Sequence, residues 1–528
     1  MGLREDLLRP EAYPAPSTAS VELRETHASW VYLTEGDVYK VKRPVDLGFL
    51  DFHTVELRRA ACEAELMLNR RLAASVYLGV VPVRLGPDGR HHFGPEGEVV
   101  DWAVHMLRLD DHRTADALLA ARALTERHVD RLAAHLAAFH GRCRADEATR
   151  AFGSPAAVRA HVVQNFEQTR GHASRLMGEA QAREVEAWQL GFLDKHGARI
   201  QARADAGKSV DGHGDLRLEH VYIDERGDIT VLDCVEFSDA LRAGDTASDV
   251  SFLSMDLAAH GRVDLAERLL ARYARETDDF DLYGVVDFYE SYRAWVRAKV
   301  ATMLSRDPGV DTRVSSGAEA VARRHYLLAL AAERKSLISP RVVAVGGVIA
   351  SGKSTLGQIV GDDLGAPVVD ADRARKSMLG VEHTARLEEG AFSGAYSKDL
   401  TARVYDEVLR RASVVLDSGR PVVVDASFRS AEMRAKARAL ATRHGVPFLL
   451  VECTAPAEVC RERLRERAKT ASVSDGRLEV FDAFCASWEP ITELSAEEHL
   501  RVDTSRPTAA SVADVEARVP TWPKGLDA

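Results

Sequence analysis

The strongest constraint on the fold is a glycine-rich turn that follows an apolar run, in Val342-Val-Ala-Val-Gly-Gly-Val-Ile-Ala-Ser-Gly-Lys-Ser-Thr355. The run matches the pattern G-x-x-x-x-G-K-[ST], in which backbone N–H groups surround phosphate oxygens, the lysine reaches the β- and γ-phosphates and the hydroxyl ligates Mg²⁺. A glycine-rich turn without a ligand is the alternative, but matches at every fixed position between a strand and a helix favour a nucleotide site. The residues predicted to bind ATP or another NTP are Gly347, Ser351, Gly352, Lys353, Ser354 and Thr355, with Ser354 on Mg²⁺.

Length and composition indicate a folded protein of more than one domain. The chain has 528 residues, whereas a single hydrophobic core rarely extends beyond ~300 residues. Its net charge of −11 does not favour nucleic acid or an anionic membrane as a partner, although a local basic channel stays open. No run reaches the ~18 apolar residues of a membrane span and no signal peptide is recognised, so a cytoplasmic protein is predicted. The 6 cysteines form no C-x-x-C pair and are predicted to be free thiols.

The amino-terminal residues predict a small antiparallel sheet followed by a helix. Short β-rich runs at residues 21–23, 30–33 and 38–41 are followed by a helical pattern at residues 55–72. Lys40 and Lys42 are two residues apart and share one face of a strand, where they could hold ATP phosphates. Two solvated edge lysines are the alternative. Glu65 on the following helix would complete the lysine–glutamate pair found in kinases, so all three residues are predicted nucleotide-site residues.

A second set of chemically active residues lies in Asp211-Gly-His-Gly-Asp-Leu-Arg-Leu-Glu-His-Val-Tyr-Ile223 and the run that follows it. Two short strands joined by a turn-rich stretch would fold Asp233 back beside Asp215 and His220. Phosphoryl transfer needs one carboxylate to accept the hydroxyl proton of the acceptor and another to hold Mg²⁺. Asp215 and Asp233 fit these two roles. Turn-capping by Asp215 and a strand end at Asp233 are the alternative.

These residues carry a resemblance to a known family. His213-Gly-Asp215 together with Asp233 resembles the catalytic loop and metal motif of the aminoglycoside phosphotransferase-like branch of the protein-kinase-like fold. Nearly the whole chain resembles a bacterial family in which such a domain is fused to a carboxy-terminal P-loop kinase, similar to zeta-toxin and polynucleotide kinases. The segments that carry this wider resemblance are Thr26–Trp30, Val38–Pro44, His213–Val221, Leu241–Asp245 and Phe288–Lys299.

The resemblance includes one departure at a metal position. The pattern H-G-D-x-x-x-x-N ends in an asparagine that ligates a metal, and here that position is His220. Imidazole is a poorer ligand than a carbonyl oxygen for Mg²⁺, so one of the usual two metals would be missing or held differently. A nucleotide sensor without turnover is therefore an alternative for this half. The resemblance also implies that Asp245 and Asp249 support the catalytic loop.

Strands and helices alternate in the carboxy-terminal part, as a parallel sheet requires. The candidate strands are residues 342–345, 367–369, 421–424, 448–452 and 499–502. Asp425 ends the third of these and is predicted to hold Mg²⁺ beside the phosphate loop. Ser339-Pro340 marks the start of this part because proline ends the preceding helix.

Two further groups are predicted to act on the acceptor and on the transferred phosphate. Asp372 and Arg375 are three residues apart at a helix start and share one side of it. In similar hydroxyl kinases, which include chloramphenicol phosphotransferases, an aspartate serves as base and an arginine contacts the acceptor or its phosphate. A capped helix with solvated charges is the alternative. Arg461 and Arg467 lie on an arginine-rich helix where such kinases carry a lid, and an ordinary ion-paired surface helix is the alternative there.

Together these observations predict two domains. Residues 1–337 form an α+β protein-kinase-like domain, with a small lobe at about 1–107 and a helical lobe at about 108–337, and residues 338–528 form an α/β P-loop NTPase domain with a parallel sheet. The predicted function is ATP-dependent phosphoryl transfer to a hydroxyl of a small molecule, with two nucleotide sites and Mg²⁺. The alternatives are a nucleic-acid 5′-hydroxyl kinase in the P-loop half and a non-catalytic ligand sensor in the other. No oligomeric state is indicated.

Overall fold

The computed structural model describes residues 2–14, 20–26, 28–46, 51–307, 310–330, 338–387, 390, 392–469 and 473–522. It divides into two compact units, the first formed by Met1–Gln164 with Leu193–Asp256 and the second by Asn165–Phe192 with Leu257–Ala528. This division does not fall at the limit of 337/338 placed from the sequence. The seven positions that precede this limit, 331–337, lie outside the described residues. The domain limits therefore stay a prediction.

The strands and helices follow the periodicities of the sequence. The strands are β1 Glu22–Glu25, β2 Ser29–Leu33, β3 Asp37–Lys42, β4 Tyr77–Leu85, β5 His91–His92, β6 Glu98–Leu107, β7 Ser209–Asp211, β8 Val221–Ile223, β9 Ile229–Val231, β10 Ala243–Asp245, β11 Val342–Gly347, β12 Val368–Asp370, β13 Val422–Asp425, β14 Phe448–Thr454 and β15 His499–Asp503. The helices are α1 Leu3–Asp6, α2 Val55–Ala73, α3 Ala115–Ala120, α4 Glu126–His140, α5 Glu147–Phe152, α6 Pro155–Met177, α7 Glu179–Asp205, α8 Asp239–Arg242, α9 Thr246–Ala259, α10 Val263–Thr277, α11 Val286–Ser305, α12 Thr312–Leu330, α13 Lys353–Leu364, α14 Ala371–Leu379, α15 Lys398–Asp417, α16 Ala431–His444, α17 Ala457–Arg467, α18 Leu478–Ala486 and α19 Thr508–Glu516.

The first unit contains a six-stranded antiparallel sheet in the order β1-β2-β3-β6-β4-β5. The strands predicted at residues 21–41 are present, and the turn between β2 and β3 falls where the sequence places it. Helix α2 packs its buried Cys62 against Tyr77 and Val104 of the sheet. The assignment of this unit to the protein-kinase-like fold stays a prediction.

Two short strand pairs position the polar loop of the first unit. Strands β8 and β9 form the predicted hairpin, with Val221 opposite Val231. Strands β7 and β10 pair in antiparallel fashion, with Asp211 opposite Ala243. The loop that contains Asp215 leaves β7 and enters β8, so both strand pairs hold its ends.

The carboxy-terminal part is an α/β P-loop domain with a five-stranded parallel sheet, as the sequence predicts. The strand order is β12-β13-β11-β14-β15. Helices pack on both faces of such a sheet, and the central strands are therefore continuous apolar runs. In β11 and β13 every residue is buried. Because the strands are parallel, their carboxyl ends lie at one edge, where the phosphate loop follows β11.

Helices α10 and α11 belong to the same compact unit as the P-loop sheet. Arg420, which precedes β13, donates hydrogen bonds to Glu267 at 2.7 Å and to Asp287 at 2.9 Å. Arg411 of α15 forms two hydrogen bonds with Asp278, at 2.7 and 2.8 Å. These ion pairs join elements more than one hundred residues apart in sequence, which explains why the sequence boundary at Pro340 does not separate the compact units.

All six cysteines are free thiols, as predicted. In the described part of the chain, no helix combines the length and the apolar character needed to cross a membrane.

Candidate functional site

The phosphate loop runs from the end of β11 to the start of α13. Gly347 and Gly352 have φ values of 147° and 86°, which favour glycine, and Ala350 also has a positive φ of 62°. A side chain at position 347 would collide with Ser351 Oγ and the carbonyl of Cys453. The backbone therefore curls tightly before the helix begins, so that N–H groups at the helix start face the space where a phosphate binds. Ser351 Oγ is buried without a hydrogen-bond partner, consistent with a loop shaped for a ligand.

The carboxylates of Asp370 and Asp425 lie at the ends of neighbouring strands beside this loop. The two residues are paired in register across β12 and β13. Burial and the nearby Asp370 raise the pKa of Asp425 to about 7, although Lys353 and a hydrogen bond with Ser354 act in the opposite direction. Asp425 Oδ1 is buried and has no hydrogen-bond partner.

This arrangement fits a magnesium ion. Ser354 and Asp425 are hydrogen-bonded to each other, and both carry oxygen atoms that can ligate a metal. Asp425 Oδ1, which has no hydrogen-bond partner, can bind the ion or a water molecule coordinated to it. No cluster of three or more His, Cys, Asp or Glu side chains suited to a metal occurs among the described residues. Ser354 and Asp425 would therefore hold Mg²⁺ together with phosphate oxygens and water, as in other nucleotide sites.

Asp372 lies at the start of α14 and faces the same cleft. The cleft, together with the open space at its mouth, encloses about 900 Å³ and is lined by Lys353, Ser354, Asp372, Arg375 and Asp425 among others. Burial and the nearby Asp370 raise the pKa of Asp372, while Lys353 and Arg375 partly oppose this shift. The helix cap is supplied by Asp370, whose carboxylate accepts hydrogen bonds from the backbone N–H groups of Asp372 and Arg373. The Asp372 carboxylate is thus not needed as the cap.

Arg375 is buried beside the cleft, with 4% of its surface exposed. Its guanidinium lies 4.4 Å from the ring centroid of Tyr396 and donates to the carbonyl of Ala395 at 2.6 Å. Its Nε is buried without a partner. Arg375 is therefore not the solvated helix charge that the alternative interpretation required.

The predicted arginines of α17 lie outside the lining of this cleft. Arg461 pairs with the exposed Asp482 at 2.7 Å, and its contact with nucleotide stays a prediction. Arg463 instead donates to the phosphate-loop carbonyl of Ala350 at 3.2 Å and to the carbonyl of Thr504 at 2.6 Å. Arg467 lines an adjoining cleft, and burial lowers its pKa against the opposing influence of Asp372.

Helical spacing could have identified Arg463. Cys460 and Leu464 are the buried residues of α17 and define its core side. Arg463 and Arg467 are four residues apart and therefore share one side of the helix, whereas Arg461 and Arg467 do not. The spacing therefore indicates that Arg463 and Arg467 face the same way.

In the first unit, Lys40, Lys42 and Glu65 come together as predicted from the kinase arrangement. Lys40 Nζ lies 2.9 Å from Glu65 Oε1 and 2.9 Å from Asp233 Oδ1, and Lys42 Nζ lies 2.5 Å from Glu65 Oε2. Lys42 also pairs with Glu236. Lys42 and Glu65 are each only 1% exposed, so Lys42 is not a solvated edge lysine. Burial raises the pKa of Glu65, but Lys40 and Lys42 outweigh it and hold the pKa below its usual value.

Asp233 follows β9 in a left-handed backbone conformation. Its φ is 63°, a value that glycine, asparagine and aspartate adopt more readily than other residues. Lys40 is the main cause of a pKa well below the usual range for this carboxyl. The side chain is 50% exposed, and its Oδ2 lies 3.7 Å from His220 Nε2. Asp233 is thus a charged carboxylate that is open to a metal or nucleotide.

Arg217 occupies the space between Asp215 and His220. Its guanidinium donates to both carboxylate oxygens of Asp215 at 3.0 Å and to His220 Nε2 at 3.0 Å. Because arginine only donates, His220 Nε2 accepts and its Nδ1–H donates to the carbonyl of Asp215 at 2.8 Å. Burial and Arg217 hold the pKa of His220 below its usual value, so this imidazole is neutral. The sequence analysis did not identify Arg217 as part of this site.

Of the two carboxylates that the resemblance implied as supports of the loop around Asp215, Asp249 contacts its backbone and Asp245 pairs with Arg203 of α7. Asp249 accepts hydrogen bonds from the backbone N–H groups of His213 at 2.7 Å and Gly214 at 3.0 Å. Asp245 forms two hydrogen bonds with Arg203, at 2.7 and 2.8 Å. Asp249 thus fixes the backbone of the loop, and the catalytic role of Asp215 stays a prediction.

The carboxy-terminal part of the second unit is an α/β P-loop kinase domain. Its features are the strand–loop–helix turn, the parallel sheet and the two carboxylates beside the loop. A family model described as "AAA domain" matches residues 342–491. The chain as a whole belongs to the family of the "uncharacterized protein Rv2004c" of Mycobacterium tuberculosis (strain ATCC 25618 / H37Rv), to which it is 32% identical over 505 residues, or 95% of this chain and 96% of the relative. The "uncharacterized protein Mb2027c" of Mycobacterium bovis matches with the same identity and coverage.

Solved structures of kinases are also similar to part of the chain. A sugar kinase from Janibacter sp. HTCC2649 is 18% identical and covers 34% of this chain and 93% of its own, with a TM-score of 0.26. A gluconokinase from Sinorhizobium meliloti 1021 is 23% identical and covers 35% and 93%, with a TM-score of 0.25. The Mycobacterium tuberculosis APS kinase CysC in complex with AMPPNP and APS is 23% identical and covers 34% and 98%, with a TM-score of 0.24. With TM-scores this low, the similarity to these kinases does not identify a substrate.

Proposed function

We propose that the P-loop part is an ATP-dependent kinase that phosphorylates a hydroxyl group of a small molecule. The observation that carries this proposal is the meeting of Lys353, Ser354, Asp425 and Asp372 around one cleft. The first three are the groups that a nucleotide triphosphate and its metal require. The fourth is a carboxylate on the acceptor side, which a simple ATP-binding protein would not need.

The residues of the cleft divide the work of phosphoryl transfer. Lys353 and the loop N–H groups bind the β- and γ-phosphates, and Ser354 and Asp425 would hold Mg²⁺, which would supply charge neutralisation for these phosphates. The acceptor hydroxyl oxygen attacks the γ-phosphorus, the bond from that phosphorus to the bridging oxygen breaks, and ADP leaves. Asp372 takes the hydroxyl proton, and its raised pKa makes it a stronger base than an exposed aspartate.

The acceptor is a small molecule in this proposal, and a nucleic-acid 5′-hydroxyl is the second candidate. The cleft combines acidic residues such as Asp370 and Asp475 with arginines, which supports a compact polar ligand more than a long polyanion. In the cytoplasm, the predicted location of the protein, ATP is available for either acceptor.

A screen with the full chain tests the kinase proposal. ADP release in the presence of Mg²⁺ and ATP would be measured with hydroxyl compounds and, separately, with a 5′-hydroxyl oligonucleotide. We expect a subset of small compounds to accelerate release, and we expect Lys353→Ala to remove this acceleration because the β/γ-phosphate contacts are lost. The exposed Lys436→Ala serves as the matched control and should leave it intact. Acceleration that persists in Lys353→Ala would refute the proposal.

We also propose a second nucleotide site in the first unit, where phosphoryl transfer is withheld while Arg217 holds Asp215. The lysine–glutamate pair and the exposed Asp233 support binding of nucleotide phosphates with a metal. The two hydrogen bonds from Arg217 occupy both oxygens of the carboxylate that would accept a proton. This arrangement favours the sensor alternative over a second active kinase. The bifunctional assignment made from the sequence stays a prediction.

A further inference from the structure

Two arginines line the P-loop cleft without a carboxylate partner in the part of the chain that the structure describes. Arg375 is buried, and its hydrogen bond goes to a backbone carbonyl. Arg429 follows β13, and its guanidinium lies 4.2 Å from the ring centroid of Phe392 and 5.3 Å from that of Phe484. Its hydrogen bond goes to Ser487 Oγ at 3.2 Å. The hydrogen bonds of both guanidinium groups therefore go to neutral partners, whereas Asp372 and Glu489 act on Arg375 and Arg429 only through space.

The carboxylates around the cleft are engaged elsewhere. Asp475 pairs with the buried Lys376 at 3.2 Å and accepts a hydrogen bond from Tyr396 at 2.7 Å. Asp370 caps α14 through its side chain. Asp425 is hydrogen-bonded to Ser354 and lies beside the phosphate loop. Asp372 is thus the remaining acid, and it is the proposed base.

Two guanidinium groups in one cleft are electrostatically costly when neither forms a hydrogen bond with a carboxylate. Burial of a charge without a counter-ion is unfavourable, and like charges add to this cost. Burial is the main cause of a lowered pKa at Arg429, and the neighbouring Arg375 lowers it further, although Tyr405 and Glu489 act in the opposite direction. Arg375 Nε is also buried with its hydrogen unused. A bound anion would neutralise both charges and accept the unused hydrogen bonds.

We propose that the acceptor is a small hydroxyl compound that also carries a phosphate or carboxylate group, and that Arg375 and Arg429 bind this anionic group. The flat rings of Phe392, Phe484 and Tyr396 hold the guanidinium planes in place, so that little freedom is lost when the anion binds. The anion then positions the acceptor hydroxyl against Asp372, which lines the same cleft. This inference rests on the proposed kinase function and specifies the substrate class of the same site.

An anion-binding experiment tests the arginine pair directly. The full chain would first be saturated with Mg²⁺ and a non-hydrolysable ATP analogue, so that the phosphate loop and the γ-phosphate position are filled. Inorganic phosphate and acetate would then be titrated by calorimetry. We expect Arg375→Gln and Arg429→Gln each to weaken the binding of one of these anions by at least ~10-fold, because each loses charge-assisted hydrogen bonds. The control is Arg438→Gln on α16, an exposed residue outside the cleft, which should bind as the unmodified chain does.

A kinetic experiment separates this inference from the kinase proposal. ADP release would be measured with matched pairs of polyols that differ only by a phosphate or a carboxylate. We expect only the anionic members to be phosphorylated, and we expect Arg429→Gln to raise KM for them by at least ~10-fold with a smaller change in kcat. Arg375→Lys retains the charge and provides a second variant if Arg375→Gln is unstable.

The outcomes distinguish the two proposals. Transfer to neutral polyols at equal efficiency would overturn the anionic-acceptor inference and leave the kinase function standing. Phosphate or acetate binding that depends on both arginines, without transfer to any acceptor, would overturn the kinase function and leave the anion site standing. Anion affinities that do not change in either arginine variant would overturn the inference.

Discussion

At the scale of single residues, the proposal of a transferase rather than a nucleotide-binding protein depends on the carboxylate of Asp372. It lies in the cleft with Lys353, and its pKa is raised by burial and by Asp370. Asp425 also lies near Lys353 and Asp370, but it is hydrogen-bonded to Ser354 on the nucleotide side. Asp372 and Asp425 thus have different proposed roles in one cleft, and substitutions of each residue can distinguish these roles.

We expect Asp372→Asn to lower the rate of phosphoryl transfer by ~10²–10⁴-fold, the usual contribution of general-base assistance. The amide keeps the size of the side chain but removes the basic oxygen, so ATP affinity should stay within about twofold. Slow transfer to water can report the rate, and titration with a fluorescent nucleotide can report the affinity. If affinity fell in step with the rate, Asp372 would belong to the nucleotide or metal site. The comparison variant is Asp425→Asn, for which we expect a loss of metal-dependent binding.

At the scale of elements, the loop between β7 and β8 holds its reactive carboxylate through a neighbouring side chain. Arg217 and Asp215 form two parallel hydrogen bonds, and His220 accepts a third from the same guanidinium. The loop backbone is fixed independently by Asp249. Removing the arginine side chain should therefore release the carboxylate without unfolding the loop.

We expect Arg217→Ala to increase phosphoryl transfer by the first unit by up to ~10²-fold, because Asp215 becomes available as a base. The full chain would carry Lys353→Ala as well, so that transfer by the P-loop site does not contribute. Adding Asp215→Asn should cancel the gain while nucleotide binding remains. Arg226→Ala, in the exposed turn between β8 and β9, is the control. An unchanged rate in Arg217→Ala would contradict the proposal that this arginine withholds transfer.

Helix α16 is joined to the segment before β15 by a buried arginine. Arg434 is fully buried and donates to the carbonyls of Phe428, Glu489 and Pro490 and, at 2.5 Å, to Glu493 Oε1. The hydrogen bond from Arg434 is the main cause of a Glu493 pKa of about 2, below the usual 4.5. The folded state therefore favours the ionised carboxylate.

We expect Glu493→Gln to lower the free energy of unfolding by about 1–3 kcal/mol at neutral pH, because a hydrogen bond to a charged group is lost. Since the pKa of Glu493 is depressed on folding, its contribution is complete above pH 4.5 and declines as the pH falls towards 2. Urea denaturation of both chains, from neutral pH down to the lowest pH at which they fold, measures the difference. A difference in the free energy of unfolding that grows as the pH falls would contradict this prediction.

The sequence predicted those parts of the site that depend on local patterns. Lys353 and Ser354 follow a glycine-rich turn, Asp425 ends an apolar run, and Asp372 begins a helix, so each could be placed from its neighbours in the chain. The contacts of Arg429 and Arg463 could not be placed, because their partners, such as Phe484 and Thr504, are more distant in sequence. The parallel strands were predictable for a local reason too, since buried strands are continuous apolar runs.

At the scale of the whole molecule, Pro340 predicted a boundary that the compact units do not follow. Charged residues of α10 and α11 pair with arginines near β13. Such long-range pairs cannot be recognised from the sequence around either partner. Arg420 is 5% exposed and has Glu267 and Asp287 as its two carboxylate partners. Burial lowers the pKa of Arg420, but these carboxylates outweigh it and hold the pKa well above the usual value.

We expect the double change Glu267→Gln with Asp287→Asn to destabilise the second unit by about 3–5 kcal/mol, because it leaves a buried charge without a partner. The matched control is Asp281→Asn, which breaks the exposed pair with Arg410 and should cost about 0–1 kcal/mol. Denaturant unfolding of the full chain measures both. Equal effects of the two changes would show that burial of Arg420 does not matter.

The ion pairs of Arg411 and Arg420 should hold the second unit together even if its backbone is cut. They join residues before position 330 to residues after position 338, and each arginine also lies over an aromatic ring, Phe280 or Tyr283. A backbone cleaved between those positions would leave these contacts intact. The two polypeptides would then associate as complementing fragments. High salt would loosen the exposed pair of Arg410 far more than the buried pairs.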